Sequence, residues 1–293
     1  MNNPIFSIII PHRNSPALLK RLLLSIPDNE NIEVIVVDNS EVPFTKDSID
    51  GTRDYTLLYS DKKGGAGKAR NEGLKNAHGE WLIFSDADDY FTKEAFNYFI
   101  LGSQSDADIV FFKVEGLCTE TGERTHRGDQ YNNFIETYTK SGYKDDRMLR
   151  YKWGVPWGKM IKAEIVKQNN ILFDEVVASN DLFFSLKTGF YANRVSVINE
   201  TVYIVTVNKG SLITRRDYTA IKSRYEAKLR CNKFLRDNHL YGEQHSIMAY
   251  LKKVPRYGIS PTFEFLRLLF YYKQNPFTGW RNWISNYRRK RKG

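Results

Sequence analysis

Residues 6–25 read FSIIIPHRNSPALLKRLLLS, and this stretch decides the fold class. The apolar run Phe6 to Ile10 predicts a short buried strand, ended by Pro11. From Ser15 to Ser25, Leu18, Leu19, Leu22 and Leu23 fall on one helical face. Strand, loop and helix therefore succeed one another directly, and the pattern repeats downstream. Val34 to Val37 reads as a buried strand ending at Asp38, Tyr55 to Tyr59 as a strand and Gly67 to Ala77 as a helix. Trp81 to Phe84 is a strand ending at Ser85-Asp86, followed by a helix over Lys93 to Leu101 and a strand over Ile109 to Phe112. Strands alternating with helices predict an α/β fold with a mainly parallel central sheet. In open sheets of this kind ligands lie beyond the carboxyl ends of the strands. Those ends carry Pro11-His12-Arg13-Asn14, Asp38-Asn39-Ser40 and Asp86-Ala87-Asp88-Asp89, so three polar clusters are expected on one edge.

Beyond Phe112 the pattern is less regular to about residue 155. A short helix over Ala163 to Gln168, a helix over Asp181 to Tyr191 and strands over Val195 to Val197 and Val202 to Val207 come next. After Arg215 the chain reads as helical, with candidates at Asp217 to Asp237, Gln244 to Tyr257 and Pro261 to Tyr272, then a tail rich in Trp and Arg. The expected division is a domain over 1–210, its halves meeting near residue 112, and a helical extension over 211–293. The 293 residues are 41% hydrophobic and 27% charged, which fits a globular chain and excludes disordered and collagen-like ones. Neither a secretory leader nor an 18-residue apolar run is read, so a mature amino terminus and a protein that is soluble or lies on a membrane are expected. Two cysteines, Cys118 and Cys231, make no disulfide framework and fit a reduced cytosolic compartment without structural zinc.

The glycine-rich stretch Lys62 to Ala69 fails as a Walker loop, because position 62 is Lys and position 69 is Ala. It fails as a dinucleotide fingerprint too, since Arg70 stands where a small residue is needed. It reads instead as a lysine-bearing loop opening a helix, where free N–H groups, that of Gly65 among them, can meet an anion. The crowded carboxylates Asp86, Asp88 and Asp89 repel one another unless a cation or donors satisfy them. All-oxygen donors suit Mg²⁺ or Mn²⁺ with positions left for water and a substrate phosphate. Tyr90 and Asn97 exclude an EF-hand, and Tyr90 also argues against an aspartyl-phosphate nucleophile. The blander alternative is that Asp88 or Asp89 caps a helix starting near Thr92.

In this order, Ser7-Ile-Ile-Ile-Pro-His-Arg-Asn14, Val36-Val-Asp-Asn-Ser40, Ala69-Arg-Asn-Glu-Gly73 and Phe84-Ser-Asp-Ala-Asp-Asp89 resemble the family 2 glycosyltransferases of the GT-A (Rossmann-like) fold. Trp157-Gly-Lys159, Phe173-Asp174 and Ser179-Asn-Asp-Leu-Phe-Phe184 resemble the acceptor half of the same family, so the likeness spans about residues 5 to 205. It implies that Asp38 holds the nucleotide base, usually uracil, with Pro11 lining the pocket and Arg70 near the base or diphosphate. Asp88 would bind the metal and Asp86 the ribose or a metal-bound water, while Arg13, like His12, could reach a phosphate or donor sugar. Trp157, Lys159 and Asn180 would serve the acceptor, and Asp181 would be the general base. The sequence departs from the family at Asn180, where a glutamate is usual, and at Asn39, where a second acid is usual.

The resemblance implies an inverting, metal-dependent enzyme, and the two cysteines and the basic tail lead to the expectation that it is cytoplasmic and peripheral on the inner face of the membrane. It would move a hexose or N-acetylhexosamine from a UDP-sugar to a glycan in bacterial surface polysaccharide synthesis, such as O-antigen or capsule. A transferase acting on a lipid phosphate, like dolichyl-phosphate mannose synthases, is the alternative, and it would not need Asp181. The net charge of +10 is concentrated at the end: residues 265–293 hold eight Lys or Arg and no acid. With Trp280, Trp283 and Tyr287, this segment suits an anionic membrane surface, and a lipid-linked acceptor would suit it. Charge alone would also fit a nucleic-acid-binding protein, but the acidic cluster would repel phosphates without a metal, so no nucleic-acid partner is expected.

Overall fold

The computed structural model describes residues 3–49, 51–207 and 217–278. These fall into two compact units, Met1–Glu175 with Phe184–Ser211, and Val176–Phe183 with Leu212–Gly293. In chain order the first unit contains β1 (Phe6–His12), α1 (Pro16–Leu24), β2 (Ile32–Asp38), β3 (Thr56–Tyr59), α2 (Gly65–Lys75), β4 (Trp81–Phe84), β5 (Tyr90–Phe91) and α3 (Ala95–Ser103). It continues with β6 (Ile109–Cys118), β7 (Arg124–Thr125), α4 (Asp129–Lys140), α5 (Arg147–Lys152), β8 (Lys159–Lys162) and α6 (Ala163–Gln168). The helix α7 (Leu182–Tyr191), from Phe184 onward, and the strand β9 (Val195–Val207) complete it.

One sheet runs in the order β3-β2-β1-β4-β8-β6-β9-β5, with β7 paired to β6. Its first four strands are parallel, whereas β8 runs antiparallel to both β4 and β6, and β9 is parallel to β6. The inner parallel strands β1, β2 and β4 are largely apolar on both faces, as burial between helices requires, and Ile8, Ile9, Ile10, Val36 and Val37 are fully enclosed. Gly73 lets α2 lie close on this sheet, since a Cβ there would come 2.5 Å from Ile9 Cγ2. On the same face Phe84, in register with Ile9, packs with Phe173 and Phe184, whose rings are stacked 3.8 Å apart.

Pro11 does not end β1, because the strand continues through His12, paired with Val37 and Asp38. The Ile9 carbonyl accepts from Ser85 N, so Ile9 and Pro11 share the edge facing β4. As β4 has ended by then, the missing proline N–H falls where no ladder bond is needed. The irregular middle resolves into the continuation of β6 to Cys118, then β7, α4 and α5. The two short strands expected between Val195 and Val207 are one, because bulges at Phe112/Lys113 and Lys113/Val114 let β9 keep pairing with β6.

The second unit holds α8 (Tyr218–Asp237), α9 (Met248–Lys253) and α10 (Ile259–Tyr271). Its core gathers Ile221, Tyr225, Leu229, Ile247, Val254, Phe265 and Leu269. Tyr225 stacks on Phe265 at 4.3 Å, and the side chain of Asp217 caps α8 through Ala220 N. Among the described residues no helix is long and apolar enough to cross a membrane.

Candidate functional site

The carboxyl ends of β1, β2 and β4 each supply a loop, and side chains stitch the first two together. His12 Nε2 accepts from Ser15 N at 3.2 Å, so Nδ1 carries the ring hydrogen and gives it to Asp38 Oδ1 at 2.9 Å. Asp38 Oδ1 also accepts from Ser40 N and Ser40 Oγ, and Oδ2 accepts from Phe44 N at 2.8 Å. Burial alone would push this carboxyl up, but the bonds from Phe44 N, Ser40 and His12 outweigh it and hold Asp38 below the ordinary range. Asn14, in the left-handed region at φ 53°, donates its N–H to Ser40 Oγ and accepts from Glu41 N. Arg13 reaches outward to Glu41 as an exposed pair.

With its folded pKa depressed, Asp38 contributes stability that is complete above the unfolded carboxylate range and is lost as pH falls through the folded value. Asp38→Asn would set an amide donor against Phe44 N–H or leave that N–H unmet. A loss of about 1–3 kcal/mol in urea unfolding at neutral pH is expected, shrinking as the comparison is repeated in acid. A loss independent of pH would contradict the assignment.

After β4 the chain turns through Asp86 to Asp89, closed by Asp89 N donating to Asp86 O. The turn is gripped from β9. Tyr203 Oη accepts from Asp86 N at 2.9 Å and Ser85 Oγ stands 3.1 Å away, leaving its own hydrogen for Asp89 Oδ2 at 2.9 Å. Thr206 N donates to Asp89 Oδ1 at 2.7 Å, and Thr206 Oγ1 together with Arg21 Nη2 from α1 donates to the Asp88 carbonyl. Asp89 therefore anchors the turn, because both of its oxygens face inward. It does not cap a helix: β5 comes directly after it, and the next helix, α3, begins only at Ala95.

One oxygen from each of Asp86, Asp88 and Asp89 lies within 4.8 Å of the others. Burial, then the Asp86 charge, pushes Asp88 up, and burial with the Asp88 and Asp86 charges pushes Asp89 well above the usual range. A dication relieves that repulsion, and an all-carboxylate set is the donor chemistry of Mg²⁺ or Mn²⁺. Since Asp89 is committed to Tyr203 and Thr206, Asp86 and Asp88 are the fitting ligands. Arg70 on α2 is buried at 4% exposure, its Nη2 on Asp86 Oδ1 and its guanidinium 5.3 Å from the Phe173 ring. Gly65, at φ 58°, opens α2 after the turn Lys62–Gly64.

Trp157 and Lys159 are buried at 3% and 2%. Trp157 stacks on Tyr203 at 5.9 Å, behind the acidic turn. Lys159 Nζ lies 5.9 Å from the Phe111 ring, so both are interior groups of the first unit. Asn180 and Asp181 precede α7 in the second unit, after Ser179 in the strained left-handed region at φ 57°. Tyr203, Thr206 and Arg21 went unread because they lie far from the aspartates in sequence. The one local signal is a Tyr and a Thr inside the apolar run Val202 to Val207.

A half-parallel sheet with three polar strand ends and an aspartate turn held between β4 and β9 defines a GT-A fold. Residues 7–162 match the model of Glycosyl transferase family 2, over half of the chain, and the chain belongs to that family. Staphylococcus aureus poly(ribitol-phosphate) beta-N-acetylglucosaminyltransferase TarS is 28% identical over 233 residues, 75% of this chain but only 39% of TarS. The chain thus spans about two fifths of the length of that relative. The crystal structure of S. aureus TarS 1–349 in complex with UDP-GlcNAc shares the fold at a TM-score of 0.58 and 23% identity, over 90% of this chain and 72% of that one. The mannosyltransferase PcManGT from Pyrobaculum calidifontis, in complex with GDP-Man and Mn²⁺, does so at 0.59 and 17%, over 91% and 79%.

Proposed function

We propose that the chain is an inverting glycosyltransferase that moves a hexose or N-acetylhexosamine from a UDP-sugar onto a glycan hydroxyl of a bacterial surface polymer. The observation that carries this reading is the acidic turn: Asp86 and Asp88 held at the end of β4, with Arg70 locked onto Asp86. Such a turn suits a nucleoside diphosphate, whose charge needs cations on both sides. Bound Mn²⁺ or Mg²⁺ would supply charge neutralisation for the departing diphosphate. Asp86 and Asp88 would hold the ion, and Arg70 would fix Asp86 so that its free oxygen points the same way. The Asp38 loop, made rigid by His12, Ser40 and Phe44, would form the wall against the base, with Pro11 beside it.

The TarS complex favours a uridine donor, and the beta product in the name of TarS, from an α-configured donor, favours inversion. Asn180 and Asp181 would attend the acceptor, with Asp181 drawing off the hydroxyl proton. The acid-free stretch 265–293 would keep the enzyme at the inner face of an anionic membrane, near a lipid-linked acceptor. A panel of UDP- and GDP-sugars incubated with Mn²⁺ tests the donor, read by the nucleoside diphosphate released. UDP from a single hexose or N-acetylhexosamine donor is expected. Release of GDP alone would replace the donor assignment, and release of neither would end the transferase reading.

A further inference from the structure

The helix α10 is apolar on two faces, and only one is used inside the protein. Phe265 and Leu269 are buried against the core of the second unit. On another face Ile259, Phe263, Leu266 and Phe270 recur at helical spacing and are 78%, 67%, 40% and 82% exposed. At about 100° per residue these four fall within an arc of roughly 60°. Tyr271 and Phe277, also exposed, extend the patch towards the carboxyl end. An aligned row of large exposed apolar groups calls for a partner, where scattered single ones would not.

The surrounding charge identifies that partner. From Lys252 to the end of the sequence the acids number one, Glu264. Glu264 is taken up by α8, where Lys222 Nζ lies 2.6 Å from Oε1 and Tyr218 donates to Oε2. Arg256, Arg267 and Lys273 are left to frame the apolar row, and the acid-free basic segment lies beyond them. A second copy docked face to face about a two-fold axis would bring these cations against their own mates. An anionic bilayer surface accepts both features, taking apolar side chains at the acyl boundary and cations at the headgroups. At 13 residues α10 is about 20 Å long, too short to span the bilayer and suited to lying along it.

We propose that the row Ile259, Phe263, Leu266 and Phe270 of α10 is a docking face that lies in the surface of an anionic membrane. It rests on the membrane placement under the proposed function and adds to it a folded apolar element distinct from the basic tail. Flotation of the full chain with vesicles of phosphatidylglycerol and phosphatidylcholine, against phosphatidylcholine alone, tests it. Wild type should float with the anionic vesicles. Phe263→Glu with Phe270→Glu should cut that binding by at least about tenfold, with an unchanged unfolding midpoint and unchanged release of nucleoside diphosphate in solution. A second variant changes Arg288, Arg289, Lys290, Arg291 and Lys292 to Gln. If it floats like wild type while the Phe variant does not, the tail placement fails and the docking face stands. Wild-type flotation of the Phe variant, or self-association of the wild type that this variant abolishes, would overturn the proposal.

Discussion

Asp88→Asn is expected to lower turnover of the donor by on the order of a thousandfold, with the protein as stable as wild type or more so. Asp88 is half-buried beside Asp86 and Asp89, and burial with the Asp86 charge already strains its ionised form. An amide relieves that strain, so a fold-stability explanation of lost activity is closed off in advance. It also removes a charge from the set that would hold the cation, and chelation should mimic the substitution in wild type while adding little to the variant. Tyr203→Phe should sit between the two. It removes the hydroxyl that takes Asp86 N–H and serves Asp89, but leaves all three carboxylates in place. A loss of about ten- to a hundredfold, partly restored by more Mn²⁺, is expected of a residue that positions ligands. Activity of Asp88→Asn at the wild-type level with unchanged metal dependence would remove the acidic turn from the mechanism.

The ends of β1, β2 and β4 were legible because strand periodicity and sharp polar stops are local signals. Pro11, His12 and Asp38 were placed to within a residue or two by the apolar runs that precede them. The support of the turn was not legible, since it depends on pairing. Tyr203 and Thr206 reach Asp86 and Asp89 only because β9 continues past two bulges and pairs with β5, a contact of more than a hundred residues in sequence. No spacing within the DADD stretch records that. Burial was similarly invisible at Trp157 and Lys159, where an aromatic and a cation read as contacts for a glycan and fold as interior groups. The segment from Asp129 to Lys152 hid its helices because its apolar positions are few, with Tyr131, Ile135, Tyr138 and Leu149 buried between many polar residues. The basic end of the sequence that prompted a membrane surface, residues 279–293, lies outside the described residues.

Asp181→Asn is expected to separate the two halves of the proposed reaction. Attack by a sugar hydroxyl needs a proton acceptor as the new bond forms, because the unassisted hydroxyl is a poor nucleophile at neutral pH. A positioned carboxylate supplies about a hundred- to ten-thousandfold. Asparagine keeps the shape and the acceptor oxygen but cannot take the proton. Transfer to a glycan should fall by that factor, while UDP binding and the slow hydrolysis of donor by water stay within a few fold. The preceding position sharpens the test. Asn180 stands where a glutamate is usual in the family, and Asn180→Glu should alter the KM for the acceptor more than kcat. An ionised phosphate acceptor brings its own negative oxygen and needs no base. Undiminished transfer by Asp181→Asn, with the donor still cleaved, would therefore shift the acceptor from a glycan hydroxyl to a lipid phosphate while leaving the donor site as proposed.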